Sequence, residues 1–332
     1  MTRDREIMRY RIAPATAFFG GLALAAATSV AAQSAYPAKP VRAVVPWPPG
    51  GASDVVGRIV GQKLGEQLGQ QVVIDNRGGA NGAIGTAQAA KAAPDGYTIL
   101  VGGMSELVLN PQITKVPYDT ARDFAPVSTL AFGYYVMVIH PALPVKSVKQ
   151  FVALAKSRPG QIKYASGGAG SNLSLVAELF KTTTGIDVAH IPYKGGGPAG
   201  VAVLSGESQM MFSTIAATQS YIEAKRLTAL AITGTRRSPH LPGVPTFEQV
   251  GVKGMDVGLW FVLLAPAGTP RDIVTRLNSE AAKLGAASDY RAQLDKVGFE
   301  PFTGSPDQCA AFIRTEHERW GKVIKAADIK AE

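Results

Sequence analysis

The stretch Val41-Arg42-Ala43-Val44-Val45-Pro46-Trp47-Pro48-Pro49-Gly50-Gly51-Ala52-Ser53-Asp54 decides how this chain folds. Its apolar run reads as a buried strand, and the Pro/Gly segment that follows breaks it. Ser53 and Asp54 then open a helical pattern carried by Val56, Ile59, Val60, Leu64 and Leu68. A strand that enters a helix through a glycine turn leaves N–H groups unpaired, with the positive end of the helix dipole behind them, so the turn suits an anion. Gly50 and Gly51 let a ligand approach the backbone, and Trp47 can cover one side of it. The candidate contacts here are Trp47, Pro49, Gly50, Gly51, Ser53 and Asp54. A plain turn with no ligand would read the same way, and what separates the two readings is that the chain builds the device again.

Moving outward, Gln71–Asp75 reads as a second strand and 76–85 as a second glycine turn, with Gly79, Ala80 and Asn81 as candidates. Ala80 breaks the G-x-G spacing of a dinucleotide fingerprint. Tyr97–Val101 is a third strand. Alternating strands and helices imply an α/β sheet with parallel strands, whose ligands sit at the carboxyl ends of the strands. The Gly50 turn, the Gly79 turn and 102–106 therefore share one rim.

The β-rich stretch Phe124–His140 is too long for one ordinary strand and is expected to cross between two domains, with a bend near Gly133. A capping box at Ser147 and Gln150 starts the next helix. Ile162–Ala165 then leads into Ser166-Gly167-Gly168-Ala169-Gly170-Ser171-Asn172-Leu173-Ser174, the second strand-to-helix glycine device. No lysine follows its last glycine, as a phosphate loop would require. Leu173 stands where a serine-hydrolase elbow needs glycine. A neutral, hydroxyl-lined helix N-terminus fits a carboxylate best, and Ser166, Gly168, Ala169, Gly170 and Ser171 are its candidates. Val188–Pro192 feeds a third glycine turn with Tyr193, Lys194 and Gly195. Gln209–Phe212 ends in Ser213 and Thr214, and Val257–Leu264 is expected to be the return crossing. Thr269-Pro270 and Ser305-Pro306 each pair an N-cap with proline at the first helical position.

The 332 residues, 46% hydrophobic and 18% charged, allow two domains with sizeable cores. Residues 1–32 read as a secretory signal peptide: four arginines, an apolar stretch at 13–27, and Val30-Ala31-Ala32 before a cleavage site after Ala32 or Ala35. No later segment is apolar enough to span a bilayer. Removing 1–32 leaves +7 of the formal +9 charge. The basic residues are scattered, which argues against nucleic acid, while a net positive field draws anions. The single Cys309 excludes an intrachain disulfide. The four histidines lack metal-ligand spacing. No metal or cofactor is expected, and the chain is expected to be a monomer.

The run from Pro46 to Gly51 with Asp54 resembles the start of the periplasmic receptors of the tripartite tricarboxylate transporter family, the Bug-type receptors. So do Ala93-Pro94-Asp95-Gly96-Tyr97, Asn110-Pro111, Pro117-Tyr118-Asp119, Tyr164-Ala165-Ser166, Pro192-Tyr193-Lys194-Gly195 and the run from Leu264 to Pro270. The resemblance implies a two-lobed type II periplasmic binding protein with its ligand in the interlobe cleft. One lobe would be 36–133 plus 261–332 and the other 134–260. It implies a small organic carboxylate held by backbone amides, hinge closure over it, and delivery to membrane permease subunits. Four departures bear on specificity. Ser213 follows Met211-Phe212 where many such receptors carry Asp, Ser174 stands where many have His, Ala83 replaces a frequent Asn, and Glu106 is an unusual acid at the rim. The loss of Asp points to a ligand without an ammonium group. Glu106 is expected to face solvent at the start of the next helix, where the dipole favours an acid. Trp260 is expected to pack the hinge. A periplasmic hydrolase built around Ser171 and a ligand sensor feeding a signalling partner are the other functions the sequence leaves open.

Overall fold

The computed structural model describes residues 36–168 and 170–329, so the signal peptide read at 1–32 lies outside the described residues. The opening stretch folds as a strand, a turn and a helix. β1 (Val41–Val45) is almost wholly buried, and α1 (Ala52–Leu68) begins at Gly51 and ends at Gly69. β1 pairs in parallel with β2 (Val72–Asn76) on one side and β3 (Thr98–Gly103) on the other. α2 (Ala83–Ala90) connects β2 to β3, and the short α3 (Asn110–Ile113) comes before the next strand. Gly85 of this helix packs so tightly on the first turn that a Cβ there would lie 2.5 Å from the Arg77 carbonyl oxygen and 2.8 Å from the Pro46 Cα. Only glycine permits that approach.

β4 (Phe124–Ile139) is a single unbroken strand of 16 residues. The expected bend at Gly133 is instead an exchange of partners. Phe124–Tyr134 runs antiparallel to β9 (Gly258–Pro266), and Tyr135–Ile139 runs antiparallel to β7 (Met210–Thr214). At the exchange a Cβ on Gly258 would sit 2.5 Å from the Gly133 carbonyl oxygen. The strand thus carries two half-sheets. The first contains β1, β2, β3, β9 and the short β10 (Glu300–Pro301). The second contains β7, β8 (Thr228–Ile232), β5 (Lys163–Ser166) and β6 (Ala189–Pro192), with β5 parallel to both β6 and β7.

β9 departs from the expected return crossing. All its pairing is to β3 and the first part of β4, and all nine of its residues are buried. The chain returns earlier, through the irregular segment before β9. Trp260, expected to pack the hinge, sits within β9 paired with Phe132; it is fully buried, and its indole N–H donates to the Glu316 carboxylate at 3.0 Å.

Helices cover both half-sheets: α4 (Val148–Ser157), α5 (Asn172–Thr184), α6 (Gly196–Leu204) and α7 (Ile215–Glu223) in the second, α8 (Arg271–Ala286), α9 (Ser288–Asp295) and α10 (Pro306–Ala326) in the first. Ser147 caps α4 through the Gln150 N–H, but the Gln150 side chain reaches back to Lys146 rather than to Ser147. Ser305 and Gln308 form a full capping box on α10. Thr269 does not cap α8: its hydroxyl donates to the Pro266 carbonyl at 2.7 Å, and the helix starts one residue later than expected, after Pro270. Among the described residues no helix is long and apolar enough to cross a membrane.

Candidate functional site

The carboxyl ends of β1, β2 and β3 face those of β5 and β6 across a cavity of about 640 Å³. The first half-sheet contributes Trp47, Ala80, Asn81, Ser105, Asn110, Ile113 and Thr114 to its lining. The second contributes Gly167, Gly168, Gly170, Ser171, Asn172, Leu173, Tyr193, Lys194, Gly195 and Gly196. A larger depression of about 830 Å³ lies between α1 and β2, away from the strand ends.

Nine residues singled out in the sequence meet in this cavity: Trp47, Ala80, Asn81, Gly168, Gly170, Ser171, Tyr193, Lys194 and Gly195. Ala169 lies outside the described residues. The others do not line it. Pro49, Gly50 and Gly51 are exposed on the outer side of the first turn. Gly79 is likewise exposed beside the rim. Ser213 is 5% exposed, paired with Val136 inside the sheet, and Thr214 pairs with Tyr135. Both sit at the carboxyl end of β7, where β4 exchanges partners.

The two turns that carried the anion-binding reading have satisfied their leading donors from within. The Asp54 carboxylate accepts the Gly50 N–H at 2.9 Å and pairs with Arg58. Burial works against its charge, but the guanidinium and the Gly50 donor outweigh it and hold the carboxyl below the usual range. The anion at the first turn is therefore the protein's own, and Ser53 beside it stays off the cavity. The Gly168 N–H likewise donates to the Ser166 Oγ at 3.2 Å. Ser166 is fully buried, 2.6 Å from the His190 Nε2, whose ring stacks on Tyr164. Ser166 thus braces the turn from beneath. Ser174, read as a hydroxyl beside the free donors, is also buried and donates to the Ser171 carbonyl at 2.8 Å.

Donors remain elsewhere. Ser171 caps α5 by accepting the Ser174 N–H at 3.2 Å. A hydroxyl oxygen that accepts one bond still has its own proton to give. α6 starts at Gly195 with no side-chain cap, so Gly196 and Gly197 carry first-turn N–H groups without an intrahelical acceptor. Lys194, exposed, is the only charged side chain among the lining residues. The Tyr193 hydroxyl donates to Glu207 at 2.9 Å, which holds its ring at the rim.

The first-half wall is held by a segment the sequence reading placed on the rim but misassigned in detail. A π-helical turn at Ser105–Leu109, a distortion common at functional sites, follows β3. Glu106 does not face solvent: it is 1% exposed. It accepts the Trp47 indole N–H at 2.9 Å and the Gly103 N–H at 2.5 Å. Its side chain lies beneath Trp47. Burial pushes its carboxyl up to about 7, against the pull of those two donors. Asn110 donates its amide to the carbonyls of Ala80 and Asn81 at 3.0 and 3.3 Å. Those two residues sit in the left-handed region (φ 48° and 50°), which costs free energy for non-glycine residues. Asn110 holds them there. Asn110-Pro111 stands out in the sequence, but its contact with a turn some thirty residues earlier does not. Ile113 faces Gly170 across the cavity: a Cβ on Gly170 would come within 3.2 Å of the Ile113 Cδ1.

Among the described residues no cluster of His, Cys, Asp and Glu could hold a metal. His190 pairs with Ser166, whose side chain is buried, rather than serving Ser171 at the cavity.

Comparison with known proteins agrees with this geometry. Residues 56–329 match the model of the tripartite tricarboxylate transporter family receptors. The chain is 38% identical to the protein BugT of Bordetella pertussis, over 93% of this chain and 96% of that one. It superposes with a TM-score of 0.78 on Rpa4515 of R. palustris, solved with adipate, at 35% identity over 89% of this chain and 99% of that one. It superposes with a TM-score of 0.72 on MatC of Rhodopseudomonas palustris, solved with bound malate, at 30% identity over 87% of this chain and 100% of that one. The fold is that of these periplasmic solute-binding proteins, two-lobed with an interlobe cleft, and the family is one of receptors rather than enzymes.

Proposed function

Because the chain belongs to the tripartite tricarboxylate transporter family of receptors, we propose that it is exported to the periplasm, closes over a small carboxylate, and delivers it to a membrane permease. The observation that carries this reading is the charge of the cavity: Lys194 is its one charged lining side chain, and the open first turn of α6 and the Ser171 hydroxyl add neutral donors beside it. An anion at a helix N-terminus gains from both the dipole and the free N–H groups. No acidic side chain lines the cavity to receive an ammonium group, which favours a mono- or dicarboxylate over an amino acid. The relatives solved with adipate and malate support the same class.

On this reading the lobes are 36–133 plus 261–332 and 134–260, with Gly258–Trp260 seated in the first half-sheet, and they hinge where β4 changes partners. Ligand contacts from both lobes favour the closed state. Signal cleavage falls after Ala32 or Ala35, and the mature protein acts as a monomer.

Calorimetry and thermal shift against adipate, malate, benzoate and the common amino acids test it. The expected result is stabilisation by one or more carboxylates that lack an amine. The largest stabilisation by a zwitterionic amino acid, or none by any acid, overturns it.

A further inference from the structure

Trp47 carries the first-lobe wall of the cavity, and its orientation depends on one buried group. The indole is half-buried. The single polar atom of its ring system donates to the Glu106 Oε2 at 2.9 Å, while the Glu106 Oε1 takes the Gly103 N–H. The seat is closed from the other side by Gly82, where a Cβ would lie 2.8 Å from the Glu106 Cβ. We propose that Glu106 is a positioning residue: its carboxylate holds the Trp47 ring against the ligand by accepting two N–H donors at once, and its protonation loosens that wall.

The chemistry follows from the acceptor count. An ionised carboxylate offers both oxygens as acceptors. When one oxygen takes a proton from solvent it becomes a donor and a poorer acceptor, and the charge that strengthened both bonds is lost. The bond to that oxygen weakens. Gly103 belongs to a strand paired on its far side with Phe261, whereas Trp47 sits in a turn, so the indole is the partner that gives way.

The carboxyl is faced by Trp47 after β1, Gly82 just before α2 and Gly103 of β3, and the Tyr118 hydroxyl donates to the Glu106 backbone carbonyl at 2.5 Å. α10 also packs on the 105–109 turn, and its Glu316 is taken by Trp260, Trp320 and Arg319. Tyr118 titrates, but burial raises it further above its ordinary value. No lysine, arginine or histidine bonds to the carboxyl to keep it charged. With burial unopposed by a cation, the proton equilibrium of Glu106 lies near neutrality, about 7, where carboxyls in water are fully ionised.

The experiment is a pH titration of tryptophan emission on the mature protein without ligand. The other two tryptophans share Glu316 in the core, so Trp47 is the reporter. Wild type should show one transition centred near pH 7. Glu106→Gln should lack it, since an amide does not titrate, and Trp47→Phe should lack it because the reporter is gone. A wild-type emission flat from pH 5.5 to 8.5, or a transition that survives in either variant, overturns the proposal. If Glu106→Gln fails to fold, Trp47→Phe and the wild-type curve still decide.

The consequence for ligand rests on the receptor reading above. Adipate, whose carboxyls titrate like side-chain carboxyls at about 4, should bind progressively more weakly below pH 7, by up to tenfold per unit, and Trp47→Phe should remove that dependence. Failure of adipate and its relatives to bind at any pH counts against the receptor reading, while the emission titration stands or falls by itself.

Discussion

Replacing Ser171 separates two roles that share one atom. The Ser171 Oγ accepts the Ser174 N–H and so caps α5, while its own proton points to no acceptor among the described residues. Ser171→Ala removes both functions. Losing an N-cap costs about 1 kcal/mol, which for a chain of this size lowers the melting temperature by roughly 2–4 °C. Losing a hydrogen bond to a charged ligand costs roughly 1.5–3 kcal/mol, or about a ten- to hundredfold weaker Kd. Two further substitutions tell these apart. Ser171→Gly keeps most of the cap, since glycine there costs only a few tenths of a kcal/mol, yet removes the hydroxyl. Ser171→Thr keeps both. Calorimetry with adipate should therefore rank binding as wild type near Ser171→Thr, with Ser171→Ala and Ser171→Gly both much weaker. Melting should single out Ser171→Ala. If Ser171→Gly binds as wild type does, the hydroxyl serves the helix alone and plays no part in recognition.

Other outcomes follow from the same geometry. Gly170→Ala places a Cβ in the left-handed region (φ 70°) and against Ile113; it should cost about 1 kcal/mol of stability and weaken adipate binding, and Ile113→Ala in the same chain should restore the binding but not the stability, as paired titrations would show. Asn110→Ala removes two hydrogen bonds worth about 0.5–1.5 kcal/mol each and releases the strained Ala80–Asn81 turn, so urea unfolding should show a loss of about 1–3 kcal/mol; a loss under 0.5 would mean that the turn holds itself. Glu106, with its pKa raised to about 7 in the fold, binds its proton more tightly folded than unfolded, so its contribution to stability is full below about pH 4.5 and is lost as pH rises through 7; denaturation midpoints should fall between pH 5 and 7.5 in wild type and stay level in Glu106→Gln. Lys194→Met should weaken adipate by no more than about fivefold, as for other exposed charges, and should flatten the salt dependence of binding.

The strand–turn–helix devices and the α/β class were legible because each is written in local sequence: an apolar run, a glycine turn, a helical period. What local sequence does not encode is where a donor or acceptor finds its partner. Asp54 reads as a first-turn acid that favours the helix dipole, and nothing in the run 46–54 says that its carboxylate folds back onto Gly50. Ser166 and Ser174 read as hydroxyls beside a glycine turn, and only the packing of β5 on β6, which brings His190 beneath Ser166, buries the first of them. Glu106 reads as a first-turn acid of the next helix, and nothing in the run 102–106 says that Trp47 and Gly103 both turn their N–H groups onto it. Asn110 lies some thirty residues from the turn it holds, a contact that exists only once β2 and β3 have paired on either side of β1.

These long-range contacts divide the cleft into two unlike walls. On the second lobe the turn is braced from below by Ser166 and capped by Ser171, and its neighbouring helix tip offers N–H groups and a lysine: this wall supplies positive character and has no titrating acid in it. On the first lobe the wall is Trp47 and a strained turn, both tethered to the segment 103–110. Its flat apolar face has no charge to offer a ligand, and behind it lies Glu106, whose carboxyl burial pushes up to about 7. On the proposed reading a small carboxylate is held by its charge on one side and by shape on the other. A change in the second wall should alter affinity for anions of every shape alike, whereas a change at Trp47, Glu106 or Asn110 should reorder preference among acids of equal charge but different length. Measuring adipate against malate in Lys194→Met and in Trp47→Phe distinguishes the two: the ratio of their affinities should hold in the first and shift in the second, and a constant ratio in both would mean that the first wall contributes no selectivity.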